Sequence, residues 1–208
     1  MKIFPLVLLL FFLSVSHGQE SFDDVNDSYE TFLKRITAKD TLIKNRTKYY
    51  KCSEDLSGRI ELYYLDDKLR LMTHIYKQGF GNDTFLENYF IDEDKLKLKT
   101  SISEIMYMNT LYKESSQGVS STTAEKVIEV TEQRMYFENK ENSGCFERKH
   151  SEKLVDWDHE YFNTLVFKKG TCIEDTAEVS YKYKLLRKAE QKLQSYSNRK
   201  RQCIFHIW

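Results

Sequence analysis

The chain has 208 residues, with 32 Lys and Arg balanced by 32 Asp and Glu, 14 Tyr, seven Gly and a single Pro. That length suits one domain, or two at most, with a hydrophobic core of its own. Zero net charge removes the electrostatic case for a nucleic-acid or polybasic membrane binder. The lone proline excludes collagen-like and proline-rich architectures, and an aromatic share of 14% argues against wholesale disorder.

The chain opens with Lys2, then an apolar stretch from Ile3 to Val15, then small Ser16 and Gly18 before Gln19. This is the pattern of a cleaved secretory signal covering residues 1–18. The stretch is shorter than the roughly 20 residues a spanning helix needs. The reading is therefore a secreted or periplasmic product without a transmembrane segment after cleavage. Residues 19–208 form a single domain with 31 basic against 32 acidic side chains. Its four cysteines, Cys52, Cys145, Cys172 and Cys203, predict disulfides in an exported chain. Of the three possible connectivities, Cys145–Cys172 with Cys52–Cys203 is favoured. The first closes a local segment, and the second ties the tail to the front of the domain. There is no C-x-x-C pair, so a zinc site is not expected.

In chain order, the first predicted element is a helix over Ser21 to Ile36. Val25, Tyr29, Phe32 and Ile36 fall on one face, and Ser21 with Asp24 makes a capping-box start. A strand is predicted near Thr47 to Cys52. The segments Glu61–Leu71 and Glu87–Leu98 echo each other: an aromatic pair, an acidic turn, then a Lys-Leu return. A weaker echo runs from Arg134 to Phe146. Each reads as a β-hairpin. The spacing from Tyr63 to Tyr89 is 26 residues and from Tyr89 to Tyr136 is 47, so the echoes form a meander and not a solenoid. A strand is predicted over Ile102–Tyr112, followed by a long surface loop over Glu114–Thr123, which is Ser/Thr/Gly-rich and lacks an apolar period. The last predicted element is a helix from Asp175 to Ser197. Its stripe is Val179, Tyr183, Leu186, Ala189, Leu193 and Tyr196, and Asp175 with Glu178 caps its start.

The stretch Val130 to Lys140 with Phe146 to Arg148, together with Leu185 to Leu193, resembles an uncharacterised group of small exported proteins of the Bacteroidota. Those proteins carry aromatic hairpins of the Tyr-Tyr-Phe-Asp-Asn-Gly-Lys-Leu type. The likeness spans roughly residues 55–195, although the four cysteines depart from the pattern. It implies no catalytic residue. The chain is also similar, in second place, to tick-type secreted lipocalins of blood-feeding arthropods, in length, leader and cysteine number. It lacks their Gly-x-Trp near the first strand. That resemblance implies a closed β-barrel around a small amphipathic ligand.

No nucleophile elbow, H-E-x-x-H, phosphate-binding loop or G-x-G-x-x-G motif is present. The densest chemical cluster is Asp156, Trp157, Asp158, His159 and Glu160. If extended, it would align three carboxylates as a candidate Ca²⁺ ligand set or hydrolase site; the reading preferred is a solvated acidic turn beside a partly buried Trp. Asn26, Asn45 and Asn82 match the N-glycosylation pattern. The expected fold is α+β, an antiparallel meander-like sheet of about six to eight strands with an N-terminal and a C-terminal helix. The expected function is that of an exported, non-catalytic, monomeric binding or interaction protein that uses no cofactor or metal. Its partner would be a protein, a glycan or a small molecule met by the sheet face or the Ser/Thr loop. A lipocalin-like carrier is the alternative.

Overall fold

A computed structural model describes residues 22–54, 56–78, 84–114, 120–138 and 141–193. The leader, Ser21, Asn82, Tyr196 and Cys203, and with it the Cys52–Cys203 pairing, lie outside the described residues.

Eight strands follow one another across one sheet in chain order, and every neighbouring pair is antiparallel. They are β1 (Ile43–Lys51), β2 (Leu56–Leu65), β3 (Lys68–Gln78), β4 (Thr84–Asp92), β5 (Lys95–Glu114), β6 (Ser120–Glu138), β7 (Glu141–Lys153) and β8 (Lys168–Lys169). Helix α1 (Phe22–Thr37) precedes the sheet, α2 (His159–Thr164) lies between β7 and β8, and α3 (Thr176–Leu193) follows. The predicted meander with a helix at each end is the observed architecture; α2 and β8 are additions.

The three hairpin echoes share one structural device. Each ladder slips register at or just after its aromatic pair: at Tyr63/Tyr64, at Phe90/Ile91 and at Tyr136/Phe137. The extra residue sits on the returning strand, at Arg70, Lys97 and Ser143 respectively. Such bulges increase local twist. The first two hairpins turn through Asp66-Asp67 and Glu93-Asp94, all four with positive φ. That backbone matches the two-residue hairpin turn whose twist agrees with the strands.

The predicted strand over Ile102–Tyr112 is observed, as part of β5, which runs unbroken for 20 residues from Lys95. Its polar centre, Lys99 and Thr100, looks like a break in sequence but is buried against polar partners. Of the predicted loop over Glu114–Thr123, Glu114 ends β5 and residues 120–123 open β6, with Glu114 paired opposite Ser120, while residues 115–119 lie outside the described residues.

The closed barrel implied by the lipocalin resemblance is not seen. Among the described residues, β1 and the two-residue β8 end the strand order with no ladder between them. Helices cover the two faces instead. Side chains alternate across a strand, so Leu71, Phe90, Leu98 and Tyr136 meet Val25, Tyr29 and Phe32 of α1. The opposite face sends Leu62, Met72, Tyr89 and Met135 against Val179, Leu186 and Ala189 of α3. Each fully buried aliphatic or aromatic side chain contributes about 1.5–3 kcal/mol. Helix α2 lies on the α1 side, where Phe162 packs on Ile128 and Val130.

Candidate functional site

Three cross-strand rows from β2 to β7 change the α3-facing side of the sheet from apolar to polar. The first row is Leu62, Met72, Tyr89, Lys99, Met135 and Cys145. The second is Ile60, His74, Glu87, Ser101, Gln133 and Glu147. The third is Gly58, Tyr76, Phe85, Ser103, Thr131 and Lys149. Helix α3 fills the first row with apolar side chains and leaves the lower two lining a cleft.

Glu87 sits at the centre and is 4% exposed. Tyr89 Oη donates to its Oε2 at 2.9 Å, and Tyr76 Oη reaches Oε1 at 3.4 Å. Lys99 Nζ and Lys182 Nζ each lie 3.4 Å from Oε1, and His74 Nδ1 is 3.5 Å from Oε2. His74 Nε2 in turn pairs with Tyr50 Oη at 2.7 Å. Tyr50 comes from β1 and reaches β3 because β2 carries Gly58 beneath it. A Cβ at position 58 would lie 2.8 Å from Tyr50 Oη and 2.4 Å from the Ile75 carbonyl.

Glu174 completes the cluster through ion pairs with Lys99 and Lys182. It arrives on the strap over residues 165–175, which carries the chain from the α1 side of the sheet to the α3 side. Gly170 N–H donates to the Cys145 carbonyl at 3.0 Å, and the Cys145–Cys172 disulfide fixes the crossing. Gln133 clasps the same strap, donating to the Thr171 carbonyl at 3.5 Å and accepting from Ile173 N–H at 3.4 Å.

Burial alone would raise the Glu87 carboxyl. The His74 hydrogen bond and the Lys99 and Lys182 charges outweigh it, holding the group ionised well below the usual carboxylate range. Burial pushes the Tyr76 phenol up to about 12 and raises Tyr50 and Tyr89 well above their ordinary value as well. The cluster therefore presents a fixed carboxylate acceptor and fixed phenol donors. Burial lowers Lys99, against the pull of Glu87.

A cavity of about 230 Å³ opens over this cluster, lined by Leu56, His74, Tyr76, Glu87 and Lys182. An adjoining one of about 200 Å³ shares Tyr76 and Glu87 and runs over Ser101, Ser103 and Thr131 to the strap. A wider hollow of about 390 Å³ lies between strand ends near Lys51 and Lys77. It holds no comparable buried cluster.

A second buried charge cluster lies on the α1 side. Arg134 bonds Asn26, Glu30 at 2.8 Å and Glu132 at 3.0 Å, while Arg148 bonds Glu132 at 2.5 Å. The Phe167 ring stands 4.3 Å from one guanidinium carbon and 4.8 Å from the other. These cations are committed to protein partners, so the cluster latches α1 and the strap to the sheet.

The sequence-predicted sites fall elsewhere. Cys145 and Cys172 form the expected disulfide, with Cα atoms 5.6 Å apart. Cys52 packs against the main core. Asn26 is half-buried and engaged by Arg134, whereas Asn45 is exposed on β1. The acidic cluster is not extended: Asp158 caps α2, accepting from Glu160 N–H at 2.8 Å and Tyr161 N–H at 3.2 Å. Asp156, Asp158, His159 and Glu160 are all exposed, and no cation-ligating group of His, Cys, Asp and Glu forms among the described residues. The hydrolase reading, which needs these side chains to converge in a cleft, is therefore set aside. Trp157 is partly buried beside Phe162. Sequence reasoning missed His74, Glu87, Lys99, Glu174 and Lys182. The available signal was inward parity: His74 and Glu87 each stand two residues from a core side chain, Met72 and Tyr89.

No protein-family model, curated protein or solved structure matches the chain.

Proposed function

We propose that the chain is an exported, non-catalytic binding protein whose ligand site is the cleft beneath α3. The observation that carries this reading is a polar cluster whose charges are already paired within the protein, set at the floor of an open cavity. An ionised Glu87 and protonated tyrosines offer fixed hydrogen-bonding partners, which suits recognition better than proton transfer. Export is supported by the predicted leader and by the Cys145–Cys172 disulfide. The open sheet gives no support to the lipocalin-like carrier.

The test is a ¹⁵N–¹H NMR titration with a set of neutral, cationic and anionic single-ring fragments. Saturable shifts are expected at the amides of Tyr76, Glu87, Tyr89 and Lys182, with any further ones limited to the adjoining cavity, and Leu56→Trp should abolish those at these four by filling the space above Glu87. Shifts scattered over the surface, or none, would contradict the proposal.

A further inference from the structure

We infer that the ligand is an uncharged polyhydroxylated molecule, a sugar ring, seated on Ser101, Ser103, Thr131 and Phe85 beside the strap; this rests on the binding reading above. The argument starts from what the cleft has left to offer. Glu87 is taken up by five donors, and Glu174 by Lys99 and Lys182. Lys149 pairs with Glu129 at 2.8 Å, and Glu147 accepts from Gln133 at 3.1 Å. A charged ligand would have to break one of these pairs, which costs more than a neutral contact returns.

The hydroxyls remain. Ser101, Ser103 and Thr131 are half-buried, and they make no side-chain hydrogen bond to another described residue. Ser103 stands directly across from Thr131, and Ser101 across from Gln133, so the patch is contiguous over β5 and β6. A hydroxyl both donates and accepts, and the ligand groups that match a row of them are hydroxyls of the same kind.

The walls supply the apolar half of sugar recognition. Phe85 lies across from Ser103 on β4 and stacks with Tyr76 at 5.2 Å between centroids. Ile173 on the strap is 78% exposed and borders the same cavity. A pyranose ring carries C–H groups on its faces and hydroxyls on its rim. It would set a face against Phe85 and Ile173 while its rim meets the Ser/Thr patch. At about 200 Å³ the cavity suits one ring, with an adjoining unit extending over Tyr76.

The experiment titrates the full chain with methyl glucopyranoside, methyl mannopyranoside, methyl N-acetylglucosaminide, maltose and cellobiose, followed by ¹⁵N–¹H NMR. Saturable shifts are expected at residues 101–103 and 131–133 with at least one of them. Ser101→Ala with Ser103→Ala and Thr131→Val should weaken that binding about tenfold or more while leaving the melting temperature near that of the parent. The single Ser103→Ala variant provides the same comparison should the triple variant unfold. Shifts that persist unchanged in the variants overturn the assignment. So does a lack of saturable shifts with every glycoside. In that case the fragment titration separates the two readings. Fragments that shift Glu87 and Tyr89 leave a binding cleft of other chemistry, and none doing so removes both.

Discussion

Glu87 carries the heaviest electrostatic load of any residue in the cleft, and its replacement should show it. Glu87→Gln leaves Lys99 and Lys182 short of a charge partner, and chemical denaturation should register a loss of about 3 kcal/mol at neutral pH. The pH dependence has a definite sign. The folded carboxyl titrates below its ordinary value of 4.5, so its stabilisation is complete above that value and is lost as the pH falls beneath it. Thermal melts should therefore show an acid limb in the parent that is shallower in the variant. The tyrosines act in the opposite range. Burial pushes Tyr29 and Tyr76 up to about 12, so their share of stability is full below the ordinary 10.0 and is lost as the pH rises through the folded values. Ultraviolet titration should separate a group of phenols ionising near 10 from a later one that ionises with unfolding. Gly58→Ala sets a methyl group against the Ile75 carbonyl and Tyr50 Oη, and urea unfolding should show a cost of about 1–3 kcal/mol. None of these roles is visible from residue type alone. A His or a Lys in a strand reads as solvent-facing until the register places it on the core side, and register is a long-range property.

At the level of elements, the strap and the long hairpin respond differently. The strap is held by one disulfide spanning 27 residues, by Gln133 and by the Glu174 ion pairs. Replacing Cys145 and Cys172 with Ser should cost about 3 kcal/mol. Hydrogen exchange should quicken at residues 165–175 well before it does in α1. Among the described residues the ladder from β5 to β4 ends at Glu104 opposite Thr84, and residues 105–109 pair with β6. Their outward amides should exchange faster than those of residues 96–102. The hairpins were legible because aromatic pairs, acidic turns and Lys-Leu returns are local signals. Helices α1 and α3 were legible from apolar spacing, with Glu178 N–H on Asp175 at 2.6 Å as the predicted cap. The continuity of β5 was not, because Lys99 and Thr100 are buried by partners from β4, α1 and the strap. Helix α2 was missed as well, since its cap at Asp158 was read within an acidic turn.

For the whole molecule, the meander order, the helices at each end and the Cys145–Cys172 bridge follow from sequence, while the open edge between β1 and β8 does not. Lys168-Lys169, the last strand among the described residues, offers no aromatic or β-branched run to announce it. No described helix is long and apolar enough to cross a membrane. Among the described residues, the lower rows of the sheet pass beneath the start of α3 and line a polar hollow. The central claim is that this hollow holds a ligand. Native mass spectrometry of the protein purified from its own source tests it most directly, beside a variant with Leu56→Trp and Ser103→Trp, which fills both adjoining cavities, expressed in the same cells. A small adduct carried by the parent, released on denaturation and missing from the variant, is the expected result; no adduct on the parent, or the same adduct on both, would contradict it.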